Sequence, residues 1–157
     1  MGKYIAYTDG FFDMNTQVGS SACVILDKYA SHALYEKAKA RQCTLNPEKK
    51  QRNNEQELGA IIMAVRSVPN GSELRIFSDS QYAVNVLSGN WEAKANLDLI
   101  ERYHLEVRQR ALKVEIFWVR GHDTSKWNNY ADELCEKVVR QFMDGGPNII
   151  ENGNQII

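Results

Sequence analysis

Four acidic residues, Asp9, Glu57, Asp79 and Asp132, stand where a carboxylate can do chemistry. Asp9 ends the strand-like run Lys3–Gly10, and Asp79 follows the short strand-like run Leu74–Phe77. Glu57 and Asp132 are expected in the first turns of helices that begin near Asn53 and Asn128. In open sheets with parallel units, sites form beyond the carboxyl ends of strands, so these four acids can meet at one edge. Together they would repel by about 4 kcal/mol per close pair at an effective dielectric near 20. Such a cluster persists only if cations neutralise it. Oxygen donors without a competing cysteine or histidine cluster select Mg²⁺ or Mn²⁺ over zinc. Two such ions about 4 Å apart activate a water and stabilise a leaving oxygen in phosphodiester cleavage. Each strand-end acid also has a plainer role open to it: Asp9 can start a turn before Gly10, and Asp79 can cap a helix. Glu57 can equally be a first-turn acid favoured by the helix dipole.

The elements that must position these residues follow from hydrophobic periodicity. Along Lys3–Gly10 the period of two puts Ile5, Tyr7 and Asp9 on one face and Tyr4, Ala6 and Thr8 on the other. Phe11–Gln17 reads as a turn, and Val18–Leu26 as a strand apolar on both faces, hence buried. Ser31–Lys39 reads as a strand near an edge, with Lys37 and Lys39 discouraging further pairing. A helix capped by Asn53 or Asn54 runs to about Ser67 on the stripe Leu58, Ile61, Ile62 and Val65. Asp79 or Ser80 caps a short helix to about Leu87, and a longer one runs from Asn96 to about Leu112 with Leu97, Ile100, His104, Val107 and Ala111 inward. Val114–Val119 is a fifth strand, and Asn128 or Asn129 caps a last helix ending near Met143. Three antiparallel strands followed by helix-linked parallel units make a mixed five-stranded α/β sheet flanked by helices. Residues 1–143 form this domain. In the tail, 144–157, Asn152-Gly153 lies between Asn148-Ile149-Ile150 and Gln155-Ile156-Ile157, the pattern of a β-hairpin docked on the body or on a neighbour.

Composition narrows the class. The chain of 157 residues is that of one soluble domain, with no apolar run long enough to span a bilayer and strand-like sequence after Lys3 in place of a signal peptide. Three cysteines without metal or redox spacing suit a reducing, cytoplasmic compartment. The formal charge is −1. If four carboxylates belong to a metal site, the rest of the molecule carries +3, a mildly basic body. Six basic residues stand against two acidic ones between Glu36 and Arg52, which reads first as a solvated loop.

The motifs Tyr7-Thr8-Asp9-Gly10, Asn53-Asn54-Glu55-Gln56-Glu57-Leu58, Ser78-Asp79-Ser80-Gln81-Tyr82, Trp118-Val119-Arg120-Gly121-His122 and Asn129-Tyr130-Ala131-Asp132-Glu133-Leu134 occur in this order. Together they resemble the successive motifs of type 1 ribonuclease H over about residues 3–143. The resemblance implies endonucleolytic cleavage of the RNA strand of an RNA–DNA hybrid, leaving 3′-hydroxyl and 5′-phosphate ends. It implies that Asp9, Glu57, Asp79 and Asp132 are catalytic and hold two Mg²⁺ ions, with Mn²⁺ able to substitute, and that His122 assists proton transfer or product release. It assigns Asn54 and Gln81 to the minor groove, where 2′-hydroxyls mark RNA, with backbone amides near Gly10 and Phe11 contributing. Asn96 falls in the pocket for a DNA-strand phosphate, and Trp91 is a candidate for stacking on a deoxyribose. A monomer is expected, with the tail free to make a contact.

Three departures from the family pattern stand out. Phe11-Phe12-Asp13-Met14-Asn15 replaces a glycine-rich turn. Arg52 replaces a threonine, adding a charge to the DNA-phosphate pocket. A basic protrusion is missing, since Gly89–Ala95 holds Lys94 against Glu92. Weak hybrid affinity follows unless Lys37–Arg52 or a partner domain compensates. A DNA-directed nuclease of the same superfamily fits the Asn-Asn-x-x-Glu and Ser-Asp-Ser-Gln motifs poorly. A non-catalytic binding module would not need all four acids.

Overall fold

In the computed structural model of the chain, β1 is Lys3–Asp13, β2 Val18–Asp27 and β3 Ala33–Gln42, a meander of antiparallel strands. Then come α1 (Asn53–Val65), β4 (Glu73–Ser78), α2 (Gln81–Leu87), α3 (Leu97–Gln109), β5 (Lys113–Trp118), α4 (Lys126–Met143) and β6 (Ile149–Gly153). The structure describes residues 2–44, 52–120, 125–154 and 156. The sheet order is β5-β4-β1-β2-β3-β6, with β4 parallel to β1 and β5 parallel to β4.

Strand alternation divides the core in two. Ala6, Cys23, Ile25, Leu74 and Ile76 face α1 together with α2 and Tyr103 of α3. Val18, Ala22, Val24, Leu26, Ala38 and Ala40 face α4 through Ala131, Leu134, Cys135 and Val138. Thus β2 is buried on both faces, as its two apolar rows require. Ile5 and Tyr7 pack on the α4 side, so the row that continues to Asp9 points toward α4.

Several local expectations are corrected. β1 does not turn at Phe11 but continues to Asp13, because Phe11, Phe12 and Asp13 pair with Ser20, Gly19 and Val18 of β2. The turn comes after Asp13, whose carboxylate accepts from the Asn15 amide at 3.0 Å and the Thr16 hydroxyl at 2.9 Å. Asn53 and Asn54 lie inside α1, behind Arg52. Ser125 rather than an asparagine caps α4, accepting from the Asn128 amide at 3.3 Å. On α3 the inward residue is Tyr103, and His104 beside it is exposed. Leu97 is exposed too, so the stripe runs through Leu99, Ile100, Tyr103 and Val107.

The largest correction concerns the tail. Among the described residues it forms no hairpin. Ile149–Gly153 instead adds a sixth strand antiparallel to β3, pairing Lys39 with Ile149, Ala38 with Ile150 and Lys37 with Glu151. An open edge of β3 offers a ready-made ladder, which a two-stranded hairpin of its own would have to build. Lys37 does not discourage pairing, because an acid stands opposite it. Gly153 has φ +90° and ends the strand against the Leu34 carbonyl, where a Cβ would come within 2.5 Å. The strand is also tied to α4. The buried Glu36 carboxylate accepts from the Tyr130 hydroxyl at 2.6 Å and from the Asn152 amide at 3.1 Å. Ending the chain at Asp144 is therefore expected to cost about 2 kcal/mol through the lost ladder, the packing of Ile150 and the stranded Glu36. At about 2–4 °C per kcal/mol this lowers the melting temperature by several degrees. Thermal melts of the two chains check it, and an unchanged midpoint would show the strand to be dispensable.

Candidate active site

The pairing register brings the first two acids together. The parallel ladder between β1 and β4 closes at Thr8 opposite Ser78, so Asp9 and Asp79 are the next residue on each strand. Here β1 leaves its parallel neighbour β4 but remains paired with antiparallel β2, from Asp9 opposite Ala22 through to Asp13. The two chains part, and a crevice opens where strand direction changes. Glu57 enters from α1. That helix crosses β1 so closely that a Cβ on Gly10 would lie 2.4 Å from the Glu57 nitrogen and 2.5 Å from the Gln56 carbonyl carbon. The Ser21 hydroxyl fixes the same turn by donating to the Gln56 carbonyl at 2.7 Å. Both obstacles at Gly10 are backbone and cannot swing aside. Gly10→Ala should therefore cost more than about 2 kcal/mol, read as a lower urea midpoint; a wild-type midpoint would mean that α1 can retreat.

Asp9, Glu57 and Asp79 each present a carboxylate oxygen, all within 4.8 Å of one another. Asp9 is 5% exposed and Glu57 8%, while Asp79 is half-buried. Asp132, half-buried on α4, completes the set from the opposite side by hydrogen bonding to the Asp9 carboxyl. Glu57 sits one or two residues deeper in its helix than expected and Asp132 about a turn deeper, since α1 begins at Asn53 and α4 at Lys126. Ser80 caps α2, accepting from the Ala83 amide at 3.0 Å. The cap is therefore not Asp79.

The electrostatics are those of an uncompensated cluster. Burial, then the charges of Glu57, Asp79 and Asp132, push the Asp9 carboxyl far above the usual carboxylate range. Burial and the Asp79 charge push Glu57 up as well, opposed in part by hydrogen bonds from Asp9 and the Gly10 amide. No ion pair joins Asp9, Glu57 or Asp132 to a basic side chain among the described residues. Glu57 Oε2 is buried with no hydrogen-bond partner. A buried carboxylate oxygen without donor or cation is costly, and an all-oxygen set of this kind fits a hard divalent cation.

Around the cluster, Asn54 is exposed on the first turn of α1 and Gln81 on the first turn of α2. Asn96, at the start of α3, has φ +57° and donates to the Tyr82 hydroxyl at 3.2 Å. Trp91 is 48% exposed beyond α2. Arg52 turns toward Glu55 at 3.7 Å and is largely buried, with Nε unpartnered. Phe11 is half-buried against the α4 core and Phe12 is buried. The Gly10 amide is directed at Glu57. His122 lies outside the described residues.

Sequence reading did not single out two braces. Trp118 Nε1 donates to the Asp79 carbonyl at 3.2 Å, and the Cys135 thiol to the Asp9 carbonyl at 3.3 Å. Cys135 follows Asp132 by one helical turn, the one local sign that both face β1. Tyr7, Phe77 and Phe117 stack at 5.1 and 5.3 Å across β1, β4 and β5 beneath the acids.

A mixed α/β sheet thus carries a cluster of buried carboxylates where its parallel and antiparallel halves meet. The chain belongs to the RNase H family, whose model matches residues 1–140, and it is a ribonuclease H enzyme. It is 32% identical over 152 residues to a ribonuclease H of Anaeromyxobacter sp. (strain K), covering 88% of this chain and 80% of that protein. A ribonuclease H of Syntrophomonas wolfei is 29% identical over 157 residues, covering 90% and 99%. Among solved structures, the N-terminal RNase H domain of a Mycobacterium tuberculosis protein, fused to maltose-binding protein, superposes with a TM-score of 0.73 at 22% identity, covering 92% and 99% of the chains. LC11-RNase H1, solved in complex with an RNA/DNA hybrid, gives 0.71 at 21% identity, covering 89% and 99%. No helix among the described residues is long and apolar enough to cross a membrane.

Proposed function

We propose that this chain hydrolyses the RNA strand of RNA–DNA hybrids endonucleolytically, leaving 3′-hydroxyl and 5′-phosphate ends. The observation that carries this reading is the triad of carboxylates within 4.8 Å of one another at the parting of β1 and β4, in a chain of the RNase H family. Asp9, Glu57, Asp79 and Asp132 would hold two Mg²⁺ ions, or Mn²⁺ in their place, which supply Lewis-acid stabilisation and a water of lowered pKa. The protein's part is placement. Rigid strands hold Asp9 and Asp79 at one level, and the contact of Gly10 with α1 fixes how far Glu57 reaches. Asn54 and Gln81 are assigned to read 2′-hydroxyls from the minor groove, a role that their exposure on helix starts supports. Asn96 and Arg52 are assigned to a DNA-strand phosphate, Trp91 to a deoxyribose face, and the backbone near Phe11 to the RNA strand, the Gly10 amide being engaged by Glu57. His122 is the candidate for proton transfer or product release. Three buried, unbridged cysteines are consistent with a reducing, cytoplasmic setting, and the enzyme is read as a monomer.

The test is incubation with end-labelled RNA–DNA hybrid, RNA duplex and DNA duplex in Mg²⁺. Cleavage confined to the RNA of the hybrid, and abolished in Asp79→Asn, is expected. Activity on duplex DNA, or hybrid cleavage that survives Asp79→Asn, would overturn the reading.

A further inference from the structure

A groove of about 490 Å³ runs along the flank of α1, with β3 as one wall and α3 as the other. It starts at Glu55 and Gln56, in the stretch of α1 that also bears Asn54 and Glu57, and reaches Arg66 just beyond the helix. The eleven steps from Glu55 to Arg66 span about 16 Å at about 1.5 Å each. Lys37, Lys39 and Arg41 project from one face of β3 about 6.7 Å apart, twice the strand rise. Arg102 faces them from α3. Two of the groove's cations are already engaged: Arg41 bonds to Glu55, and Arg66 bonds to Glu106 at 3.0 Å. Lys37, Lys39 and Arg102 have no ion pair among the described residues. Glu151 lies across the ladder from Lys37, where it also accepts from the Tyr35 hydroxyl, and offsets that lysine in part.

Three cations without an ion pair among the described residues, against Asp98 as a further lining acid, leave the channel net positive. That suits an anionic partner with regularly spaced charge. A folded protein of net charge −1 does not concentrate them there as a by-product of overall basicity. We propose that this groove binds the sugar-phosphate backbone of the nucleic-acid substrate beyond the cleavage site, extending the footprint along α1. A nucleic-acid strand in duplex advances about 3.4 Å per phosphate, so 16 Å corresponds to about five nucleotides. One β3 cation then meets every second phosphate. The inference rests on the hybrid-nuclease reading for its substrate, and it predicts that affinity depends on substrate length.

The experiment compares wild type with Lys37→Gln/Lys39→Gln/Arg102→Gln, and with a control that loses equal charge elsewhere, Lys28→Gln/Arg75→Gln/Lys113→Gln. Binding of a fluorescent 24-base-pair hybrid is followed by anisotropy in EDTA across a salt series. Cleavage of that hybrid and of an 8-base-pair one is followed in Mg²⁺. The groove variant should have a salt slope shallower by about 2.7, or 0.9 for each lost phosphate contact. Its KM on the long hybrid should rise at least about tenfold at low salt with kcat retained, and much less on the short one. A slope and KM matching those of the charge-matched control would overturn the proposal, as would a fall in kcat with the slope unchanged. If the groove variant shows this shallower slope while wild type binds the hybrid but cleaves nothing, the nuclease reading fails and the groove stands.

Discussion

Asp9→Asn is expected to lower hybrid cleavage at least about a thousandfold, roughly 4 kcal/mol of barrier at 1.36 kcal/mol per decade, while raising the melting temperature of the metal-free protein. The two effects have one cause. Asp9 is the most buried of the acids and borders the other three, so its charge is the most opposed by the fold and the most useful to a bound cation. Asparagine keeps the shape, and its amide can keep the hydrogen bond that the Asp9 carboxyl makes to Glu57 or Asp132 without having to hold a proton there. An ionised pair at 4–5 Å costs about 3–4 kcal/mol at an effective dielectric near 20, part of which is already relieved by proton uptake. A net gain of about 1–3 kcal/mol remains, the usual sign of a site whose function is bought with stability.

The series should be ordered. Asp79→Asn, at a half-buried position, should lose comparable activity but stabilise less than Asp9→Asn. Urea denaturation in EDTA beside single-turnover cleavage in Mg²⁺ decides the matter. If Asp9→Asn destabilises as it inactivates, the carboxylate is a structural hydrogen-bond acceptor and not a strained ligand.

What could be read from the chain alone depended on how local each feature is. The alternation of Ile5, Tyr7 and Asp9 is a property of one strand, and it put Asp9 on the face of Ile5 and Tyr7, which the fold packs against α4. The buried character of β2 is local in the same sense. The convergence of residues 9, 57, 79 and 132 is not local, and it became legible through five motifs in order and through the rule that sites open beyond strand ends. Features set by a remote partner were misjudged. Nothing between Phe11 and Asp13 announces that Ser20, Gly19 and Val18 will extend the ladder. Asn152-Gly153 reads as a hairpin until β3 offers its edge. His104 and Tyr103 differ by one residue on the same helix, and only the packing of α3 on α1 selects Tyr103. The Gly10 contact with α1 is tertiary as well. Local sequence shows a glycine after an aspartate, which a turn explains equally well.

In EDTA, thermal stability is expected to fall as pH rises from about 5 to 8.5, and saturating Mg²⁺ should reverse the trend. The folded-state pKa values of Asp9 and Glu57 lie above their unfolded values. Above the ordinary carboxylate pKa, near 4, the native state therefore still holds protons that the unfolded chain has released. Stability then decreases with pH. This contribution is fully present below the unfolded pKa values and is lost as pH climbs through the raised ones. Asp27 and Glu106 do not mask it. The Ser31 hydroxyl lowers the first, and Arg110 with Arg66 lowers the second. Lowered carboxylates lose their stabilisation only as pH falls, outside this window. A divalent cation binds the deprotonated set, so it competes with protons and stabilises by RT ln(1 + [L]/Kd), a quantity that grows with pH. Differential scanning fluorimetry at four pH values, with EDTA or with 10 mM Mg²⁺, reads both slopes. The same scan on Asp9→Asn should flatten the EDTA slope and shrink the Mg²⁺ response. A melting temperature that rises with pH in EDTA would mean that the four carboxylates are already neutralised by the protein, and the cluster would lose its claim to a cation.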